Sequence, residues 1–238
     1  MKTLLIAMAL VSPLCAHALD NYQALANSVL PKVVDIQVKG VVVVPDGAFL
    51  DTDKSTKAVV VERSTKTVAY GGTGSFISSD GFILTCYHLF DEPMTDMVIT
   101  VKTSDNRKYT AFLIGVSSTT DLALLKVFPL TKQPHFKLGK AVERGQPVVS
   151  FGSPLGISHT ATLGYVSNPR ARHPRGDETF TMHTASINPG NSGGPLVNAN
   201  GELVGVNVAT FRSGMFSTAE GMHLAVLLDD INDFLGAK

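Results

Sequence analysis

Asn188-Pro189-Gly190-Asn191-Ser192-Gly193-Gly194-Pro195-Leu196-Val197 is the stretch on which the reading of this chain turns. A serine stands in a glycine-rich turn, after a Gly-Asn pair and before an apolar strand. Glycine permits the positive φ angles and close backbone approach that such a turn needs. The turn presents the Ser192 hydroxyl beside the amides of Gly190, Asn191 and Ser192, placed to converge on a developing oxyanion. The same residues would also serve as an ordinary Gly-rich hairpin, and a short motif alone does not choose between the two.

The choice is made upstream. In Gly74-Ser75-Phe76-Ile77-Ser78-Ser79-Asp80-Gly81-Phe82-Ile83-Leu84-Thr85-Cys86-Tyr87-His88 two β-type runs flank an Asp-Gly turn, and His88 follows the second. Asp121 opens the apolar run Leu122-Ala123-Leu124-Leu125. Singly, a histidine at a strand end is a satisfied polar side chain, and an aspartate before a strand is a turn residue. Together, in the order His, Asp, Ser, they follow chymotrypsin-like enzymes and differ from subtilisins and α/β-hydrolases. In that chemistry Ser192 is the nucleophile, His88 the general base, and Asp121 orients the imidazole and stabilises its cation.

Further stretches extend the pattern: Val29-Leu30-Pro31-Lys32-Val33-Val34-Asp35-Ile36, Phe151-Gly152-Ser153-Pro154-Leu155-Gly156, Gly164-Tyr165-Val166-Ser167, and Ile187 through Val208. From near Leu25 to about Phe234 the chain resembles the protease domain of the HtrA/Deg group of trypsin-like serine proteases. The resemblance implies an all-β fold of two six-stranded antiparallel β-barrels packed face to face, His88 and Asp121 on the first and Ser192 on the second. It implies an endopeptidase working through an acyl-enzyme, with no metal or cofactor. It also places a substrate pocket at Ala185, Ser186, Ile187, Val206, Asn207, Val208, Ala209 and His223. No acidic residue stands at the expected pocket base, which argues against Arg or Lys preference, and the group usually cleaves after small aliphatic residues. His223 and Thr184 depart from the family pattern, and His223 either favours an acidic or amide side chain or points away. Asn191 replaces the aspartate that pairs with a freed N-terminus in trypsin-type zymogens, so loop ordering is the expected switch. The stretches Pro45–Thr67 and Arg170–Gly176 are the candidate loops.

Composition is consistent with these expectations. The chain has 238 residues, 44% of them hydrophobic, and 20 basic against 20 acidic side chains, with no basic stripe for nucleic acid. Lys2, the apolar run Leu4–Val11 and Ala16-His17-Ala18 read as a signal peptide cleaved after Ala18. The run is too short to span a bilayer. Removing it takes away Lys2 and Cys15, leaving 19 − 20 = −1 and one cysteine, Cys86, so no intrachain disulfide forms. Cys86 is read as a small buried hydrophobe rather than a reactive thiol. The remaining histidines lack metal-ligand spacing.

Strand signals occur at Val33–Val44, Ala58–Glu62, Thr67–Tyr70, Gly74–Ile77, Phe82–Thr85, Met97–Val101, Tyr109–Val116 and the Asp121 strand. After a linker near Thr131–Gly145 they resume at Pro147–Phe151, Thr160–Val166, Thr179–Ala185, Gly194–Val197, Leu203–Thr210 and Met222–Val226. A short helix capped by Asp20 ends at Pro31. Leu227, Leu228, Ile231, Phe234 and Leu235 recur at helical spacing. The expected organisation is a signal peptide at 1–18 and one protease domain at 19–238, without PDZ modules. Within it lie a first barrel at about 32–130, a second at about 145–226, and a helix at about 227–236. The expected protein is periplasmic or secreted and acts on polypeptides, unfolded ones among them. A homo-oligomer is left open, and neither nucleic acid nor stable membrane insertion is expected. Two other classes share these residues: a dormant binding or chaperone-like protein, and an esterase with the same triad.

Overall fold

The structure is a computed structural model describing residues 22–51, 58–157, 159–172, 177–208 and 221–236. The short β-branched runs form strands in two sets. The first is β1 (Val33–Asp51), β2 (Ala58–Phe76), β3 (Phe82–Cys86), β4 (Thr95–Thr103), β5 (Lys108–Ser117) and β6 (Leu122–Lys126). The second is β7 (Pro147–Gly152), β8 (Thr160–Arg172), β9 (Thr179–His183), β10 (Pro195–Val197), β11 (Leu203–Val208) and β12 (His223–Leu227). Each set closes into a six-stranded antiparallel barrel, in the orders β1-β2-β3-β6-β5-β4 and β10-β11-β12-β9-β8-β7. Closure satisfies the edge strands that an open sheet would expose.

Two helices bracket the barrels. Helix α1 (22–29) runs into a 3₁₀ turn at Leu30–Lys32, which carries Pro31, and the Asp20 cap lies outside the described residues. Helix α2 (Leu228–Leu235) buries Leu228 and Ile231 and ends at Gly236, whose φ of 66° suits a left-handed cap. Val29 and Ile231 join Leu84, Cys86 and Leu122 of the first barrel and Val149, Phe151, Val206 and Val208 of the second in one buried cluster. That cluster is the inter-barrel core, and Cys86 sits in it as a packed side chain. The segment between the barrels has no strand but is stitched to both. Phe136 N donates to Phe76 O at 2.8 Å, and Gly139 N to Leu203 O at 2.9 Å.

The strands run longer than the sequence pattern suggests. Most of 45–67, expected as a loop, is ladder: β1 and β2 pair from Val33↔Ser75 to Asp51↔Ala58, with a register shift between Pro45 and Gly47. Proline has no N–H to give a ladder and is accommodated at a bulge. The expected breaks near Arg63 and Gly71 do not occur, because the two arms are adjacent in sequence and pairing extends at little loop-closure cost. Likewise β8 continues to Arg172 through shifts at Val166/Asn168 and Asn168/Ala171. Arg170 to Arg172 therefore belong to a strand, and 173–176 lie outside the described residues.

Candidate active site

The β3–β6 register brings the first two candidates together. Cys86 pairs with Leu122, so the 3₁₀ turn Tyr87–Leu89 after β3 lies against Asp121, just before β6. Tyr87 N donates to Asp121 O at 3.1 Å. The Asp121 carboxylate then takes His88 by two atoms: Oδ1 accepts from the His88 backbone N at 2.8 Å, and Oδ2 meets Nδ1 at 2.7 Å. An ionised carboxylate only accepts, so Nδ1 carries the ring proton and Nε2 keeps its lone pair. That is the tautomer a general base needs. Asp121 holds this pose at a φ of 54°, tolerated by aspartate better than by most residues.

The turn that carries Ser192 is pinned by backbone contacts to one strand of each barrel. The Ser192 carbonyl accepts from Thr73 N of β2 at 2.8 Å, and Gly193 N donates to Asn207 O of β11 at 2.9 Å. Gly193 has a φ of 82°, and a Cβ there would stand 2.0 Å from Thr85 Oγ1 and 2.3 Å from Thr73 O. Only glycine lets the serine turn press this close to β3, two residues before His88. Thr73 also donates from Oγ1 to Gly190 O at 2.7 Å and accepts from Ser153 N at 3.1 Å.

The amides named from the sequence are not equivalent. Asn191 N closes the turn on Asn188 O at 2.9 Å. Pro189 O accepts from Leu155 N at 2.9 Å. A trans peptide sets its N–H opposite its C=O, so the Gly190 N–H is directed away from the Leu155 segment. The Asn191 side chain is buried against Gly152, where a Cβ would lie 2.5 Å from Asn191 Oδ1.

Residues 72–206, more than half of the chain, match the family model described as trypsin-like peptidase domain. The chain belongs to that family. Among similar proteins is one named probable periplasmic serine endoprotease DegP-like from Marinomonas sp. It is 42% identical over 149 residues, covering 61% of this chain and 31% of the relative. Proteins of the same name from Pseudomonas putida and Hahella chejuensis are 41% and 40% identical over 162 and 169 residues. Those matches cover 66% and 68% of this chain, and 32% and 34% of the respective relatives. The chain thus spans about a third of the length of these relatives.

The peptidase domain's pocket candidates divide by exposure. Ala185, Ile187, Val206, Asn207 and Val208 are buried, Ser186 is exposed with its carbonyl accepting from Thr162 Oγ1 at 2.7 Å, and Ala209 lies outside the described residues. Asn207 Nδ2 donates to Ser150 Oγ at 2.9 Å and Pro195 O at 3.1 Å, tying β11 to β7 and β10. Thr184 Oγ1 accepts from Tyr165 N at 2.9 Å and so is spent on β8. His223 faces His183 across the β9–β12 ladder, ring centroids 6.0 Å apart. Burial, and then the neighbouring His223, push the His183 imidazole down to about 3; Asn207 and the Ala185 backbone oppose this. Neither His183 ring nitrogen makes a well-formed hydrogen bond. Burial lowers His223 as well.

His183 and Thr73 carry weight here that their sequence context does not announce. Alternation along β9 against His223 would have been the signal for His183, and the Gly-rich run Gly71-Gly72-Thr73-Gly74 for Thr73. Cys86, His88 and Asp121 offer three potential ligand atoms within 4.8 Å of one another. Two of the three are spent on each other. Burial first, then the Asp121 charge, raise the Cys86 thiol well above its ordinary value, and Sγ donates to Asn207 O at 3.4 Å. A thiol held neutral is a poor metal ligand.

Proposed function

We propose that this trypsin-like peptidase domain is an exported serine endopeptidase of the HtrA/Deg type, cleaving polypeptides through an acyl-enzyme. The observation that carries the reading is the two-atom grip of Asp121 on His88, with Ser192 held on a turn pinned to β2 and β11. His88 Nε2 takes the Ser192 proton as Oγ attacks the scissile carbonyl, and returns it to the leaving amine as the C–N bond breaks. Water then attacks the acyl-enzyme with His88 again as base. The Gly190 and Ser192 amides receive the oxyanion. The side chain before the scissile bond enters the wall of Ala185, Ser186, Ile187, Val206 and Val208 and is small and aliphatic.

Export rests on the signal-like residues 1–18 and on relatives named periplasmic. Among the described residues no helix is long and apolar enough to cross a membrane. The domain bounds 19–238 and the polypeptide partners, unfolded chains included, belong to the same proposal.

A fluorophosphonate probe tests the site. Labelling at Ser192, casein digestion by the parent, and loss of turnover by roughly 10⁴- to 10⁶-fold in Ser192→Ala are expected. An alanine variant that digests casein at the parent rate would sink the triad. Hydrolysis of esters without casein cleavage would favour the esterase. Protein from the native host should begin at Leu19.

A further inference from the structure

The catalytic turn borders an open cavity of about 520 Å³ on the first-barrel side, and none of its lining comes from β9, β11 or β12. Pro189, Gly190, Ser153 and Leu155 form one wall, and the outward faces of β1, β2, β4 and β5 the other. Cross-strand partners share a face of a sheet. Asp35 is partnered with Lys102, and Lys102 with Lys108, so three charges form a row across β1, β4 and β5.

The balance of that row is positive. Asp35 is engaged by Ser153 Oγ and stands 3.8 Å from Lys102 Nζ. The Lys108 ammonium makes no ion pair or hydrogen bond among the described residues. One carboxylate against two ammonium groups leaves a net charge of +1 in the cavity. The floor is also open to a peptide backbone. β2 pairs with β3 only at Ser75 and Phe76, and a Cβ on Gly71 would meet nothing within 4 Å.

We propose that this cavity receives the leaving-group half of the substrate, and that Lys102 and Lys108 select an acidic side chain within the first three residues after the scissile bond. The placement rests on the endopeptidase reading above. A peptide whose acyl side chain lies against β9, β11 and β12 leaves Ser192 in the opposite direction, past Gly190 and into the cavity. The charge selection is this chain's own, since it follows from side chains on β4 and β5 and not from the catalytic turn. Solvated ion pairs are weak singly and screened by salt, so the discrimination is modest and fades with ionic strength.

The test uses internally quenched peptides sharing one acyl half and differing only after the cut, with acidic, neutral or basic residues at each of three positions. The parent should cleave the best acidic peptide with a kcat/KM about three to ten times that of the neutral one at low salt, and the basic one least. Lys108→Gln should bring the acidic-to-neutral ratio toward one, and Lys102→Glu with Lys108→Glu should invert it. A parent ratio near one, or an equal ratio in parent and variants, overturns the proposal. A second arm works without turnover: leaving-half peptides carrying a fluorophore are titrated onto Ser192→Ala, with and without the lysine changes. Acidic peptides should bind tighter, and only while the lysines are present; equal or absent binding of acidic and neutral peptides overturns the proposal too. Failure of fluorophosphonate labelling would instead strike the endopeptidase reading, and the binding arm still decides the charge selection.

Discussion

Asp121 contributes two acceptors to one histidine, and the consequences of losing one differ from those of losing both. Asp121→Asn keeps an oxygen for the His88 backbone N–H but can present an amide N–H to Nδ1, which forces the proton to Nε2. A loss of about 10⁴-fold in kcat at neutral pH is expected, lessening at high pH where hydroxide helps remove the serine proton. A pH–rate profile of the variant checks this; activity within a few-fold of the parent would overturn the role given to Asp121. Gly193 makes the complementary case. An alanine there must hold a φ of 82° with its Cβ inside contact of Thr85 Oγ1 and Thr73 O. Gly193→Ala should lose roughly 3 kcal/mol or more of stability together with probe labelling. Ser192→Ala should unfold in urea at the parent midpoint, and equal midpoints for both variants would show that the turn tolerates a side chain. The residue types at these positions were legible in the sequence, because a nucleophile, a base and a glycine with positive φ are local chemical requirements.

At the scale of elements, β2 is the strand that couples the barrels. Its Thr73 donates through N to Ser192 O and through Oγ1 to Gly190 O, and accepts from Ser153 N on the turn after β7. Thr73→Val keeps the shape and the backbone bond but strips the Gly190 carbonyl and the Ser153 amide of that partner. A cost of about 1–3 kcal/mol follows from the unsatisfied groups. With Gly190 in the oxyanion role proposed above, kcat should fall about ten-fold with KM nearly unchanged. Thr73→Ser should restore it, and a kcat for Thr73→Val equal to the parent would show that the hydroxyl does not position the turn. The length of β2 was not legible: Arg63 and the Gly71-Gly72 pair read as breaks by composition. Pairing with β1 overrides local propensity, as strand formation depends on the partner more than on the residue.

Over the whole molecule, the second barrel encloses a titratable ring that folding keeps neutral. His183 is held near 3, below the unfolded imidazole value of about 6.5. The unfolded chain therefore takes up this proton first. Its contribution is fully present above the unfolded value and is lost as pH falls from there toward 3, at up to about 1.4 kcal/mol per pH unit. Urea midpoints measured between pH 7 and pH 4 should fall more steeply in the parent than in His183→Gln, and equal slopes would place the acid sensitivity elsewhere. From the sequence alone came the all-β class, both bracketing helices, the Ser, His and Asp candidates with their order, and the buried reading of Cys86. These rest on alternation, glycine placement and residue chemistry, each contained within a few neighbouring positions. The tertiary structure decided what meets what. The Asn191 amide is consumed by its own turn, Thr73 donates to two carbonyls of the serine turn and accepts from Ser153 N, His183 stands opposite His223, and Asp35, Lys102 and Lys108 share a row. Each depends on strand register, where a slip of one residue turns every side chain to the other face, and register is set by partners far away in the chain.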